Sequence, residues 1–460
     1  MAEGTTHLDQ RQPRRQSLPV FDEHHPPSEK LIGECVHCGF CLQTCPTYRL
    51  WGEEADSPRG RIYLMKLGLD GEVPLDDNFV GHFDRCLGCD ACLTSCPSGV
   101  QYEKLLEATR AQIERRYTRP LLERILRKLL FTFLPYPERM KLLTLPLWLY
   151  QRSGMQNLVR KSGLLAHIPK RLQSMESLMP TVALKTSVPE SDPPPSASAR
   201  LRVGLLLGCV QRVYFSDVNA ATARVLRAEG CKVIVPLQQG CCGALALHSG
   251  EEAAAIDFAR HTIDAFEAAN VEVIAINAAG CGSAMKSYGH LLRDDPVYAA
   301  RARAFAAKCR DVSEILASLP PLAPRRPLSV RVAYHDACHL QHAQRITAQP
   351  RNLLRTIPGM ELLEIDDPAI CCGSAGIYNL VQPEAAQQLG DKKAQHVLKT
   401  GADVVVSGNP GCTLQLRASL QSAGHPLPVM HWIELLDASI SGNLPASLLH
   451  NSSIHPAPRT

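Results

Sequence analysis

Two runs of cysteine carry the chemistry available to this sequence. The first is Cys35-x2-Cys38-x2-Cys41-x3-Cys45-Pro46, and the second is Cys86-x2-Cys89-x2-Cys92-x3-Cys96-Pro97. A thiolate at every third residue suits a tightly wound loop that reaches three irons of a cubane, and the fourth iron must be held from elsewhere. Where two such runs share a chain, the last cysteine of each serves the other cluster. That rule predicts one [4Fe–4S] cluster on Cys35, Cys38, Cys41 and Cys96, and a second on Cys86, Cys89, Cys92 and Cys45. Zinc is the competing reading, but its four-thiolate sites usually take two separated pairs rather than four cysteines packed this tightly. His37, between two of the cysteines, reads as a hydrogen-bonding neighbour rather than a ligand. Two neighbouring clusters suit a one-electron relay, tuned by burial and by hydrogen bonds to sulfur.

A second population of cysteines follows a different pattern. Cys209, the vicinal pair Cys241-Cys242-Gly243, and Cys281 recur as Cys338, Cys371-Cys372-Gly373 and Cys412. The offsets are 129 (338 − 209), 130 (371 − 241) and 131 (412 − 281), which marks a duplicated unit. Glycine after each pair permits close backbone approach. Each set of four could hold an iron–sulfur centre, hold zinc, act as redox-active thiols, or be buried and inert. Cys231 and Cys309 lie outside the repeat frame and read as packing residues. His335 and His339 flank Cys338 and could supply ligands or move protons, although a histidine beside a strand end is more often a packed core residue.

The elements that must position these residues differ between the two halves. Between the cysteine runs, Ser57-Pro58-Arg59-Gly60-Arg61 up to Lys66 reads as a turn entering a helix, which favours a helical ferredoxin-type domain. Arg59 and Arg61 are equally readable as compensation for anionic clusters and as ordinary helix-start arginines. Residues 1–28 read as a flexible leader, 29–110 as the cluster domain, and 111–180 as a basic, apolar helical connector interrupted at Pro135, Pro137 and Pro146. Residues 181–200, around Pro193-Pro194-Pro195-Ser196, have linker composition. Beyond them, apolar runs at 203–207, 271–276 and 332–335 alternate with Ala-rich helical stretches such as 251–269. That alternation predicts mainly parallel sheets covered on both faces, with repeats at 201–325 and 326–445 and a flexible tail at 446–460. The fold class is therefore α plus α/β.

Bulk properties narrow the function. A chain of 460 residues is too long for one core. It is also large enough not to need a disulfide scaffold, so its eighteen cysteines fit metal ligation in a reducing compartment. The polar first thirty residues show no secretory pattern; Arg14-Arg15-Gln16-Ser17-Leu18 hints at a twin-arginine signal, but Pro19, Asp22 and Glu23 occupy the place of its apolar region. A net charge of +4 gives no case for nucleic acid. No run of 18 apolar residues is available to span a bilayer. The stretch 141–171, with Trp148, Leu149 and Tyr150 among Lys and Arg, could lie on an anionic surface or pack between domains or against a partner. No Gly-rich dinucleotide fingerprint and no evident base for substrate deprotonation are present.

Cys35-Val36-His37-Cys38-Gly39-Phe40-Cys41, Cys45-Pro46-Thr47-Tyr48, Ser57-Pro58-Arg59-Gly60-Arg61-Ile62-Tyr63 and Asp84-Arg85-Cys86-Leu87-Gly88-Cys89 resemble the iron–sulfur subunit of glycolate oxidase. The likeness extends over nearly the whole chain, because that family also carries two CCG repeats after its ferredoxin part. It implies an electron-transfer subunit of a complex in which flavin-containing partners oxidise glycolate to glyoxylate, with D-lactate to pyruvate as a second reaction. Electrons would pass to a membrane quinone or another acceptor, from a cytoplasmic position peripheral to the inner membrane. CCG repeats also resemble heterodisulfide reductase subunits, where two residues separate the last shared cysteine from a fifth. Here those positions are Ala284 and Gln415, which counts against thiol–disulfide reduction. The remaining alternatives are a lactate-utilisation type of redox subunit and a metal-stabilised assembly scaffold.

Overall fold

The computed structural model describes residues 20–182, 189–191, 199–445, 448 and 455–456. Among the described residues before the linker all regular structure is helical. Ser57 caps the helix Pro58–Leu69, its side chain accepting the Gly60 N–H at 3.0 Å. Asp76 does the same for Asp77–Asp84. These helices and Tyr102–Arg116 close over a small core of Ile62, Met65, Phe79, Phe83, Leu105 and Ile113. Both cysteine runs border this core: Cys86 belongs to it, and Cys35, Cys92 and Cys96 pack against it.

The leader reading fails for residues 20–28. Val20 and Phe21 are buried in that same core, and Gln112 and Arg115 bind Asp22. Two apolar residues ahead of a polar stretch are enough to dock it, because the helices leave a gap that Phe21 fills against Phe79. Residues 1–19 lie outside the described residues. The boundary placed at 110/111 falls inside the helix Tyr102–Arg116, since a change in surface charge does not end a helix. Pro135 and Pro137 do separate Leu121–Phe133 from Pro137–Arg152, but the second helix runs through Pro146. An interior proline forfeits one hydrogen bond without always breaking a helix.

The second half is built twice. Strands β1 (Arg202–Leu205), β2 (Lys232–Ile234), β3 (Val273–Ile276) and β4 (Cys309–Asp311) form a parallel sheet in the order β2-β1-β3-β4. Strands β5 (Leu328–His335), β6 (Met360–Glu364), β7 (Val404–Ser407) and β8 (Val429–His431) repeat it as β6-β5-β7-β8. Val404, Val405 and Val406 of β7 are fully buried, as expected of a parallel strand covered on both faces. The two sheets share one core, in which Val203 and Leu205 pack with Val332, Val404 and Leu436. The tail reading also needs correction: Leu448 is buried in this core, and β9 (His455–Pro456) pairs antiparallel with the start of β5. An apolar side chain that finds a core is fixed whatever the polarity of its neighbours.

Candidate metal centres

In the first run the chain winds through His37 and Gly39, both with positive φ. This turns Cys35, Cys38 and Cys41 toward a cavity whose wall also includes Cys96, Ile62 and Tyr102. Arg59 reaches over the loop and donates from Nη1 to the His37 carbonyl at 3.0 Å, while its Nε binds Glu54 at 2.6 Å. The run is near the surface: Val36 is 67% exposed and Phe40 65%.

The second run is deeper. Burial is the main cause pushing the Cys89 and Cys92 thiols well above the ordinary range, with Cys45 and Cys86 adding to it. In the first run burial pushes Cys41 up to about 11, and Cys96 stands among the groups that raise Cys35. Cys96 thus stands near Cys35 of the first run, while Cys45 stands between the runs, acting on Cys41 as well as on Cys89 and Cys92. Such thiols are protonated at neutral pH when metal-free, so metal binding there releases protons. The eight positions fit two cubanes in donor type and in number.

Arg61 is fully buried. Its Nε donates to the His82 carbonyl at 2.6 Å, and its other nitrogens reach Thr47 Oγ1 at 3.2 Å and Asp56 at 3.4 Å. Burial alone would make it a weaker cation, but Cys86, Tyr102, Cys45 and Asp56 outweigh that and hold it charged. It is therefore a buried counter-charge beside the second run. Arg59, half-exposed, serves the loop rather than the core.

Each repeat gathers its four cysteines at the carboxyl ends of its strands, where ligands collect in open α/β sheets. In the first, Cys241 Sγ is 3.6 Å from Cys209 Sγ, and thiol contacts continue through Cys242 to Cys281. In the second, the same chain runs Cys338, Cys371, Cys372, Cys412. Gly373 (φ +91°) lies so near the helix Pro383–Lys399 that a Cβ there would meet the Ala386 carbonyl at 2.5 Å. Gly243 is held likewise against Ala255. Cys231 and Cys309 are buried in the apolar cores, Cys309 in the one that also holds Cys242.

The cluster domain docks on these sites. Cys89 and Leu87 share an apolar cluster with Cys371, Ile370 and Tyr378, and Cys338 packs against it. His339 hydrogen-bonds the Gly88 carbonyl at 2.7 Å, and His342 bonds Thr94 Oγ1 at 2.8 Å. Both histidines sit in the single turn His339–Ala343 that follows Cys338. Arg110 ties the Cys86 carbonyl to the first repeat through the His248 carbonyl, at 2.5 and 2.7 Å. His335 is buried with a ring nitrogen within 4.8 Å of the sulfurs of Cys372 and Cys412. Sequence reading missed Lys393, which is buried near Cys371 and Cys372 and donates to the Asp367 carbonyl at 2.7 Å. The helical spacing Ala386, Leu389, Lys393, Val397 was the available signal, since it puts the lysine on the apolar face.

Comparison with known proteins agrees with this architecture. A 4Fe–4S dicluster domain matches residues 32–100, and a cysteine-rich domain matches twice, at 203–286 and 332–417. The linker region of the glycolate oxidase iron–sulfur subunit matches 122–179. The probable glycolate oxidase iron–sulfur subunit of Bacillus subtilis (strain 168) is 41% identical over 398 residues, 85% of this chain and 89% of that one. The chain belongs to the glycolate oxidase iron–sulfur subunit family. The family's Escherichia coli (strain K12) member is 37% identical over 421 residues, covering 90% of this chain and 95% of that one. Lactate utilization protein A of Exiguobacterium sp. is 31% identical over 239 residues, 52% of this chain and 98% of its own length. This subunit is an iron–sulfur protein with a helical cluster domain followed by duplicated CCG domains.

Proposed function

We propose that this chain is the electron-carrying subunit of a complex whose flavin-containing partners oxidise glycolate to glyoxylate, with D-lactate as a second substrate. The observation that carries the reading is the gathering of eight cysteines in two neighbouring runs, the outer near the surface and the inner buried against the CCG half. Cys35, Cys38, Cys41 and Cys96 hold the first [4Fe–4S] cluster, and Cys86, Cys89, Cys92 and Cys45 the second. Bound there, the clusters supply one-electron storage and transfer. The chain's own part is to fix their separation, to bury the inner one, and to place Arg61 beside it.

Among the described residues no helix is long and apolar enough to cross a membrane. Delivery to a membrane quinone would therefore rely on peripheral attachment through the complex, on the cytoplasmic face. The test is anaerobic: the purified chain, mixed with glycolate, should show cluster reduction by electron paramagnetic resonance only when the flavoprotein partners are present. Failure of glycolate to reduce the clusters in the assembled complex would remove the proposal.

A further inference from the structure

The two repeats present different side chains to the cluster domain at one equivalent position. His248 stands seven residues after Cys241 (248 − 241), and Tyr378 seven after Cys371 (378 − 371). His248 ends the short helix Ala244–His248 and bonds Glu107 of the cluster domain at 3.1 Å. The second repeat takes a longer path to the same place. After Gly373 the chain passes through Ala375 (φ +37°) and Gly376 (φ +65°) before the short helix Tyr378–Val381 begins. A left-handed alanine is costly, and backbone strain of that kind collects where a side chain must be aimed. Here the path carries Tyr378 into the apolar cluster that joins Leu87 and Cys89 of the cluster domain to Cys371.

Tyr378 is 4% exposed, and its hydroxyl has no hydrogen-bond partner among the described residues. A buried hydroxyl left unbonded loses its hydration without return, so such groups are rare unless something further completes them. Water is a poor candidate, because a buried water needs several polar partners and the cluster around the ring is hydrocarbon and thiol. Burial pushes the pKa of the hydroxyl up, and Cys86 does so next, ahead of the opposing Arg61 and of Cys371. Cys86 and Arg61 both belong to the inner site. Tyr102 already approaches Cys86 Sγ from within the cluster domain, at 3.7 Å. We infer that the Tyr378 hydroxyl donates a hydrogen bond to a sulfur of the inner [4Fe–4S] cluster, so that the second repeat raises the potential of that cluster. A phenol keeps its proton at neutral pH, and cubane sulfurs are anionic acceptors. Donation to sulfur favours the reduced form, which carries one more negative charge. The docking of the two halves is thereby written into the inner potential. The inference rests on the assignment of that cluster to Cys86, Cys89, Cys92 and Cys45.

The test uses the full chain, reconstituted anaerobically with ferrous iron and sulfide. Tyr378→Phe removes one oxygen and keeps the ring that packs the interface. In a redox titration followed by paramagnetic resonance, it should make reduction of the inner cluster about tenfold less favourable, a shift of about 59 mV to lower potential for one electron. The outer cluster should keep its potential. Cys89→Ser, which changes an inner ligand, identifies the inner signal. Pulsed resonance on the reduced chain in heavy water should show a deuteron coupling at the inner cluster that Tyr378→Phe lacks. A fluorinated tyrosine at the same position keeps the hydroxyl, donates more strongly, and should move the potential upward. An unshifted inner potential, an equal shift of both clusters, or an undiminished coupling in Tyr378→Phe would each overturn the inference. With both cubane signals intact, that failure would leave the electron-carrier reading standing. A second run that takes up no cubane in the unsubstituted chain would remove the inference together with the assignment beneath it.

Discussion

Arg61 shows how much a single side chain can set. A guanidinium with no exposed surface is costly to bury, and here it is held by a carbonyl, a hydroxyl and Asp56 while lying close to Cys45 and Cys86. A positive charge beside a redox centre stabilises its reduced form. Arg61→Met should therefore lower the potential of the inner cluster and destabilise the domain by about 3 kcal/mol. Arg61→Lys should retain most of the potential. A redox titration followed by paramagnetic resonance reads both, and an unshifted potential in Arg61→Met would refute the assignment. The cysteines themselves were legible in the sequence because ligand spacing is local. Arg61 was only half legible: its helix-start position was visible, but its burial depends on Asp56, which comes before it, and on His82, twenty-one residues after it. His335 was visible as a candidate and undecidable, since only the fold brings Cys372 and Cys412 to it.

Between elements, one of the joints between the two repeats is His431. Its Nδ1 accepts the Ile433 N–H at 3.1 Å, capping the helix Trp432–Ser441, so Nε2 carries the proton and donates it to the Asn277 carbonyl of the first repeat at 2.9 Å. Burial pushes its pKa down to about 3. The unfolded chain then binds a proton below about pH 6.5 that the folded chain refuses, so stability is complete above that pH and falls as the pH drops toward 3. The slope approaches about 1.4 kcal/mol per pH unit. Hydrogen exchange at Ile433–Leu436 in the intact chain should accelerate, after correction for intrinsic rates, between pH 7 and 5.5. Glu434, which closes the same cap and is pushed up by burial to about 7, works in the opposite sense, so the His431 contribution is read by difference. The acid acceleration should be smaller in His431→Asn, and an unchanged pH dependence would locate the titrating group elsewhere. At this scale the duplication followed from three cysteine offsets and the parallel sheets from the alternation of apolar runs; the strand order did not. The bond between the halves did not, because a lone histidine before Trp432 carries no sign of its distant acceptor.

For the whole molecule, the notable surface is the connector. Leu122, Leu142 and Leu158 are 78%, 73% and 69% exposed, and Leu121, Leu129, Leu145 and Leu149 join them along three successive helices. Such contiguous apolar exposure marks an interaction surface rather than a resting face. The double substitution Leu122→Glu with Leu142→Glu should cut co-purification of the flavoprotein partner by about tenfold or more, leaving iron content unchanged. Equal recovery would show that the complex assembles through another face. Sequence composition flagged this stretch but could not choose between packing inward and facing outward, a matter settled by which helices the remaining chain covers. The opposite gradient, from the exposed Val36 and Phe40 loop to the buried Cys89, has a consequence for handling. Dissolved oxygen reaches the outer cubane first, so brief aeration should strip it while sparing its neighbour. Such a preparation would still be brown and still hold iron, yet its relay would be one step short.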